Sequence, residues 1–95
     1  MKTVNLIEKE RIPALHFCKE DVLQDPGARS RRAYEINRAT ILGNAYRNKA
    51  AITFCTEQGE LKRVETTVWA NDDKFVLLKA GAFLPLQSIV KVENC

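Results

Sequence analysis

The chain has 95 residues, 45% apolar and 28% charged, which is the composition of an ordinary globular domain with one core. No apolar run approaches the ~20 residues of a membrane-spanning helix, and the first ten residues lack the apolar core of a secretory signal. We therefore expect no membrane partner and a cytoplasmic location. The net charge is only +3, so the sequence as a whole is not that of a strongly basic protein.

Residues 1–27 are predicted to form an N-terminal extension with one short strand and a turn. Val4 and Leu6 alternate with polar neighbours, as in an edge strand, and Asp25-Pro26-Gly27 is a turn signal. Residues 28–44 have the composition of a helix, and Gly43-Asn44 fits a helix stop because glycine adopts the left-handed C-terminal conformation without penalty. The apolar arc of this helix is imperfect, because Arg32 and Glu35 fall inside it.

The basic character of the chain is concentrated in residues 29–49. This segment holds six cations and one acid, Glu35, for a net charge of +5, whereas the rest of the chain carries −2. The distribution of charge matters more for partners than the total. The six cations are Arg29, Arg31, Arg32, Arg38, Arg47 and Lys49.

From residue 49 onwards the apolar period changes to two, which predicts strands. Residues 50–55 form a strongly apolar strand, and a turn containing Gly59 leads into a long strand over residues 61–70. Residues 75–78 are apolar on both faces, which predicts a central or sharply curved strand. Pro85 restricts the strand over residues 82–85 to an edge or a bulge.

Together these elements predict one α+β domain over residues 1–95, in which the helix packs on a small, strongly bent antiparallel β-barrel over residues 49–95. A tight turn at residues 86–89 followed by a last alternating strand at residues 90–93 is how small barrels close. Closure removes exposed strand edges, which a small sheet protein must manage.

The element order resembles that of Sm-like (SH3-like) small barrels, including bacterial Sm-like RNA chaperones. The resemblance rests on Gln58-Gly59, on the Asn71–Lys79 segment and on Ile89-Val90-Lys91-Val92. It implies a ring-forming barrel. The RNA-contact motif of those chaperones is replaced here by Phe83-Leu84-Pro85-Leu86.

The whole chain also resembles a group of short uncharacterised bacterial proteins, and this likeness implies no activity. The residues that carry it are Leu42-Gly43-Asn44, the Val64–Ala70 segment, the Leu78–Gly81 segment and the Leu84–Ile89 segment.

The sequence contains no recognisable catalytic, cofactor or metal-binding constellation. The single histidine, His16, has no partner at a catalytic spacing, and the three cysteines (Cys18, Cys55 and Cys95) are widely spaced without a Cys-x-x-Cys pair. Cys55 is predicted to lie in the core, and Cys18 has Lys19 nearby, which can lower a thiol pKa. We therefore expect a protein that is not an enzyme and needs no cofactor.

Two kinds of binding function remain. The first is an assembly or interaction module that contacts a protein partner or a second copy of itself through Trp69, Phe83 and Pro85. The second is RNA or DNA binding by the basic segment 29–49, with Tyr34, Tyr46 and Trp69 able to stack on bases. Trp69 lies either under the helix or on the surface as a partner anchor.

Overall fold

The computed structural model describes residues 4–94, and it has one long helix, seven strands and three short 3₁₀ helices. The helix, α1, spans Pro26–Tyr46. The strands are β1 (Asn5–Leu6), β2 (Ala50–Cys55), β3 (Leu61–Thr66), β4 (Val68–Asn71), β5 (Phe75–Leu78), β6 (Phe83–Pro85) and β7 (Ile89–Asn94). The 3₁₀ helices span Lys9–Ala14, Lys79–Gly81 and Leu86–Ser88.

Helix α1 is longer by two residues at each end than the predicted span of residues 28–44. It begins after Asp25, whose carboxylate accepts a hydrogen bond from the Ala28 amide at 2.9 Å. Pro26 follows in the first turn, where its missing N–H costs nothing. The helix ends at Arg47, which takes the left-handed conformation with φ of 58°.

The predicted stop at Gly43-Asn44 is therefore wrong, and both residues have a packing role instead. A Cβ atom on Gly43 would lie 2.3 Å from the carbonyl oxygen of Val68, so only glycine lets α1 approach β4 this closely. The Asn44 side chain then donates a hydrogen bond to the carbonyl of Trp69 at 3.0 Å. Both contacts fix α1 against β4.

The strands form two sheets, with the orders β1-β3-β2-β7 and β4-β5-β6. All pairings are antiparallel except the short parallel pair of β1 with β3. Strands β3 and β4 are separated only by Thr67. Over residues 4–94 no strand of one sheet pairs with a strand of the other, so the strand pairings give two sheets rather than the predicted closed barrel.

The physical reason lies at Thr67, where the predicted long strand over residues 61–70 changes partner. Thr66 is the last residue of β3 in register with β2, opposite Ala50. The next carbonyl, that of Thr67, accepts a hydrogen bond from Lys79 at the end of β5. A bulge at Trp69 then shifts the register between β4 and β5.

The two sheets enclose one hydrophobic core, and helices cover its open sides. Helix α1 packs on β4 and β7, whereas the first 3₁₀ helix contacts β3 and β6 and places Ile12 in the core with 1% of its surface exposed. The predicted extension thus contributes to the core. The largest fully buried apolar side chains are Phe54, Ile12, Ile52, Leu78, Leu84, Ile89, Val64, Val68 and Val76.

None of the helices within residues 4–94 has both the length and the apolar character that crossing a bilayer requires.

Candidate binding surfaces

The six cations of the basic segment do not share one environment. Four of them (Arg31, Arg38, Arg47 and Lys49) are exposed, and none of these forms an ion pair within residues 4–94. The Arg29 side chain is about half exposed and lies 3.5 Å from the Asp21 carboxylate. Arg32 is buried. The structure therefore leaves four of the six side chains free to meet a ligand.

Arg32 is a structural residue that ties the N-terminal segment to α1 and β7. Its guanidinium donates to both carboxylate oxygens of Asp21, at 2.8 and 2.6 Å, and to the carbonyl of Ile89 at 2.9 Å. The Arg32 hydrogen bonds hold the pKa of the Asp21 carboxyl below its ordinary value, with help from the Leu23 amide. Because Arg32 is only 5% exposed, it cannot contact nucleic acid as the sequence predicted.

A sequence signal for this role was present in the helical pattern. Arg32 falls on the same arc of α1 as Ile36, Ala39 and Gly43, all of which are buried. A charged side chain within the apolar arc of a helix is buried only when it has a partner that compensates its charge. The partner, Asp21, is eleven residues away in a segment without regular structure, so the pattern gave no indication of it.

The outer side of α1 carries the first candidate surface, which we call the basic face (Arg31, Tyr34, Arg38 and Ile41). These residues follow one another at spacings of three and four, so they form one stripe along the helix. Tyr34 is 61% exposed and Ile41 is 66% exposed. Tyr46, Arg47 and Lys49 follow at the carboxyl end of the helix, all exposed.

The basic face contains no acid. Glu35 is the only acidic residue within α1, and its carboxylate accepts a hydrogen bond from the Asn94 side chain at 3.0 Å. It is thus oriented towards β7 and away from the stripe. The positive charge of Arg31 and Arg38 is not compensated within their own helix.

The outer side of the sheet β4-β5-β6 carries the second candidate surface, which we call the aromatic face (Trp69, Phe75, Leu77 and Phe83). Phe75 and Phe83 contact each other edge to face, with ring centroids 6.2 Å apart at 81°. Leu77 is directly opposite Phe83 in the register, so it extends the same patch. Phe75 is 44% exposed and Phe83 is 58% exposed, although both are large and apolar.

Trp69 completes the aromatic face. Of the two positions predicted for it, the structure has the exposed one, with 49% of its surface accessible. Trp69 is the extra residue of the bulge in β4, and its carbonyl is held by Asn44 of α1. The bulge turns Trp69 outward next to Val68, which is buried in the core.

Sequence reasoning identified Trp69 and Phe83 but missed Phe75 and Leu77. The signal was the run of apolar residues on both faces of residues 75–78. In the three-stranded sheet β5 is the central strand, so Val76 and Leu78 fill the core. The alternate residues, Phe75 and Leu77, must then lie on the outer face.

Pro85 lies on the edge strand β6, where its lack of an N–H has a specific effect. The backbone N–H of Leu86 donates to the Lys74 carbonyl, and the N–H of Leu78 donates to the Ala82 carbonyl. Because backbone groups alternate in direction along a strand, the N–H and carbonyl of Leu84 point towards β5, and the backbone groups of Phe83 and Pro85 point outward. Of the outward groups, the Pro85 carbonyl already accepts a hydrogen bond from Ser88 at 2.7 Å. Only the N–H and carbonyl of Phe83 remain on this edge.

The remaining candidates have local structural partners. The Cys18 thiol donates to the Glu57 carbonyl at 3.7 Å, and Cys55 is partly buried at the end of β2 instead of in the core. Cys95 lies outside the described residues. Asp72 accepts hydrogen bonds from the amides of Phe75 and Lys74, which lower the pKa of its carboxyl in the turn before β5.

Comparison of the chain with protein-family models, with curated proteins and with solved structures gave no match. The geometry of the two faces is therefore the basis for a functional assignment.

Proposed function

We propose that the chain is a non-enzymatic binding module that docks a short apolar segment of a protein partner on its aromatic face. One observation carries this proposal: Trp69, Phe75 and Phe83 are all large and apolar, and all are about half exposed on one side of one sheet. Aromatic side chains are enriched at the centre of protein interfaces and depleted elsewhere on surfaces.

The size of the aromatic face favours a peptide segment over a globular subunit. Aromatic side chains offer about 150–250 Å² each, so the exposed fractions of these three rings amount to about 300 Å². A patch of this size is often functional on a monomer. It falls well short of the roughly 800 Å² per partner that a standard stable interface buries.

Docking by side chains is also favoured over addition of a partner strand to β6. Strand addition needs a row of free backbone groups, and β6 offers only the two groups of Phe83. The first 3₁₀ helix contacts β6 as well, which restricts access to that strand. The row of free backbone groups along this edge is thus too short to bind an extended chain.

We further propose that the two sheets are halves of one open Sm-like or SH3-like barrel. Support comes from β3 and β4, which follow each other with one residue between them, as a single strongly bent strand would. Helix α1 and the first 3₁₀ helix would then cover the two gaps between the sheets. An experimental structure in which these two helices do not contact both sheets would contradict this architecture.

The aromatic face can be tested with its own probe, because Trp69 is the only tryptophan of the chain. A photo-crosslinking residue at position 70, which is exposed next to Trp69 and opposite Leu77 in the register, captures the partner in the wild type and in the variant below. Tryptophan emission then reports whether the purified partner segment covers Trp69. We expect a blue shift and protection from acrylamide on binding. The variant Phe75→Ser/Phe83→Ser should lose both the crosslink and the shift.

The matched control is Ile41→Ser, which removes an equally exposed apolar side chain from α1. Its melting temperature and its binding should both resemble those of the wild type. Equal capture by the wild type and by the Phe75→Ser/Phe83→Ser variant would contradict the proposal. Light scattering distinguishes the occupants: a concentration-dependent dimer that the double variant abolishes would identify a second copy of the chain instead of a partner segment.

A further inference from the structure

We propose that the basic face of α1 is a second, separate binding site, and that its ligand is single-stranded nucleic acid. The phosphates would contact Arg31 and Arg38, and a base would stack on Tyr34 between them. Arg47 and Lys49 would extend the contact past the end of the helix. This site shares no residue with the aromatic face, so the two proposals stand independently.

Charge complementarity is the first argument for a polyanion. The four exposed cations lack ion-pair partners within residues 4–94, and the one acid of α1 is turned towards Asn94. An arginine without a carboxylate partner keeps its fork of donors available, and that fork matches phosphate. A ligand that carries one charge per repeat uses all four cations, whereas a single small anion uses only one.

The spacing of the stripe is the second argument. Arg31 and Arg38 are seven residues apart, which places them on the same side of the helix and roughly 10 Å apart along its axis. Tyr34 lies between them and is 61% exposed. Cations that follow a backbone and alternate with an exposed aromatic ring are the arrangement by which proteins bind single strands.

The exposed aromatic ring also favours single-stranded over double-stranded nucleic acid as the ligand. A tyrosine can stack only on a base that is not already stacked and paired, so Tyr34 and Tyr46 contribute to binding only with unpaired nucleotides. Stacking on a tyrosine ring tolerates every base, because each base has a π-face. We therefore expect a preference for single strands without strong sequence selectivity.

The test is fluorescence anisotropy with labelled oligouridylate, oligothymidylate and a duplex of mixed sequence. If four phosphates are neutralised, log affinity should fall with log salt at a slope of about −3, so affinity drops about 50-fold between 50 and 200 mM salt. The single strands should bind more tightly than the duplex. A third single strand, oligodeoxyuridylate, differs from oligouridylate only in the sugar, so their comparison shows whether the 2′-hydroxyl contributes.

The decisive variant is Arg31→Glu/Arg38→Glu, with Arg32 left intact because it is buried in its ion pair. We expect its affinity at 50 mM salt to fall about tenfold or more, and its salt slope to approach about −1.5. The control is Arg11→Glu/Lys19→Glu, which changes the charge by the same amount at two exposed residues outside α1. That control should retain most of the affinity.

Tyr34 provides a readout that a purely electrostatic surface would not give. Tyr34→Ala should weaken binding about fivefold or more, whereas Tyr34→Phe keeps the ring and should bind as the wild type does. Three results would overturn the proposal: equal losses in the two charge-reversal variants, tighter binding of the duplex, or no binding at low salt. A dimer in light scattering that only Arg31→Glu/Arg38→Glu dissociates would assign the face to a second copy of the chain.

Discussion

Gly43 is the residue at which α1 comes closest to a neighbouring strand. Gly43→Ala would place a Cβ 2.3 Å from the Val68 carbonyl and 3.0 Å from the Thr67 side chain. Alanine improves helix propensity by ~1 kcal/mol, but the clash with backbone forces α1 away from β4. We expect a net loss of about 1–3 kcal/mol in urea denaturation.

The comparison for Gly43 is Ser30→Ala, an exposed position of the same helix. It gains helix propensity without a new contact, so its stability should equal or slightly exceed that of the wild type. A Gly43→Ala protein as stable as the Ser30→Ala protein would show that the close approach of α1 to β4 is not required.

The ion pair of Asp21 with Arg32 is expected to stabilise the fold in a pH-dependent way. Asp21→Asn keeps the shape of the side chain but leaves the buried Arg32 guanidinium without its counter-charge. Removal of one partner from a largely buried pair costs about 2–4 kcal/mol at neutral pH. We expect this loss in the free energy of unfolding at about pH 7.

The pH dependence follows from the lowered pKa of Asp21. A carboxyl whose pKa is lower in the folded state stabilises the fold above its unfolded pKa of about 4, and this stabilisation is lost as pH falls through the folded value. The gap between wild type and Asp21→Asn should therefore close in acid. The control is Asp73→Asn, in an exposed turn, which should leave the free energy of unfolding at about pH 7 within about 0.5 kcal/mol of the wild type. A gap that does not narrow as the pH falls below the unfolded pKa of about 4 would exclude the ion pair as its cause.

At the scale of elements, the first 3₁₀ helix connects the two sheets. It contacts β3 and β6, one strand from each sheet, and places Ile12 between them. Ile12→Ala should cost about 2–5 kcal/mol, because it leaves a cavity where the sheets meet. The loss is measured by chemical denaturation.

Ile41→Ala is the matched comparison, because it makes the same chemical change at a side chain that is 66% exposed. It should alter stability by less than about 0.5 kcal/mol. If both isoleucines gave the same small loss, the N-terminal segment would be an appendage, as its sequence alone indicated, and not part of the core.

The predictability of each element depended on where its determining contacts lie. The alternation of residues 50–55 is local, and that strand forms as predicted. Of the long strand predicted over residues 61–70, residues 61–66 form β3, whereas residues 68–70 belong to β4 in the other sheet, because the change of partner at Thr67 depends on distant contacts. Gly43 was misread because a glycine near a helix end fits both a stop and a close contact, and only Val68 distinguishes them. Arg32 was misread because its partners lie eleven and 57 residues away.

At the scale of the whole molecule, residues 4–94 behave as one packed unit with two different surfaces. The radius of gyration is 12.2 Å, close to the ~12 Å expected of a compact domain of this length. Helix α1 contacts β4 and β7 with its buried side, so its basic face points away from the core. The aromatic face belongs to β5 and β6 and to the bulge in β4.

This separation predicts that the two binding activities can be removed one at a time. Helix α1 packs mainly on β4 and β7, whereas Phe75 and Phe83 lie on β5 and β6. Substitutions at separate sites without shared partners act nearly additively, so Phe75→Ser/Phe83→Ser should lose the protein partner yet keep its affinity for oligouridylate within about twofold. Arg31→Glu/Arg38→Glu should show the reverse pattern. Anisotropy and tryptophan emission on the same four proteins (wild type, both double variants and their combination) measure both activities. Loss of both by either double variant, with its melting temperature unchanged, would mean that the faces form one continuous site.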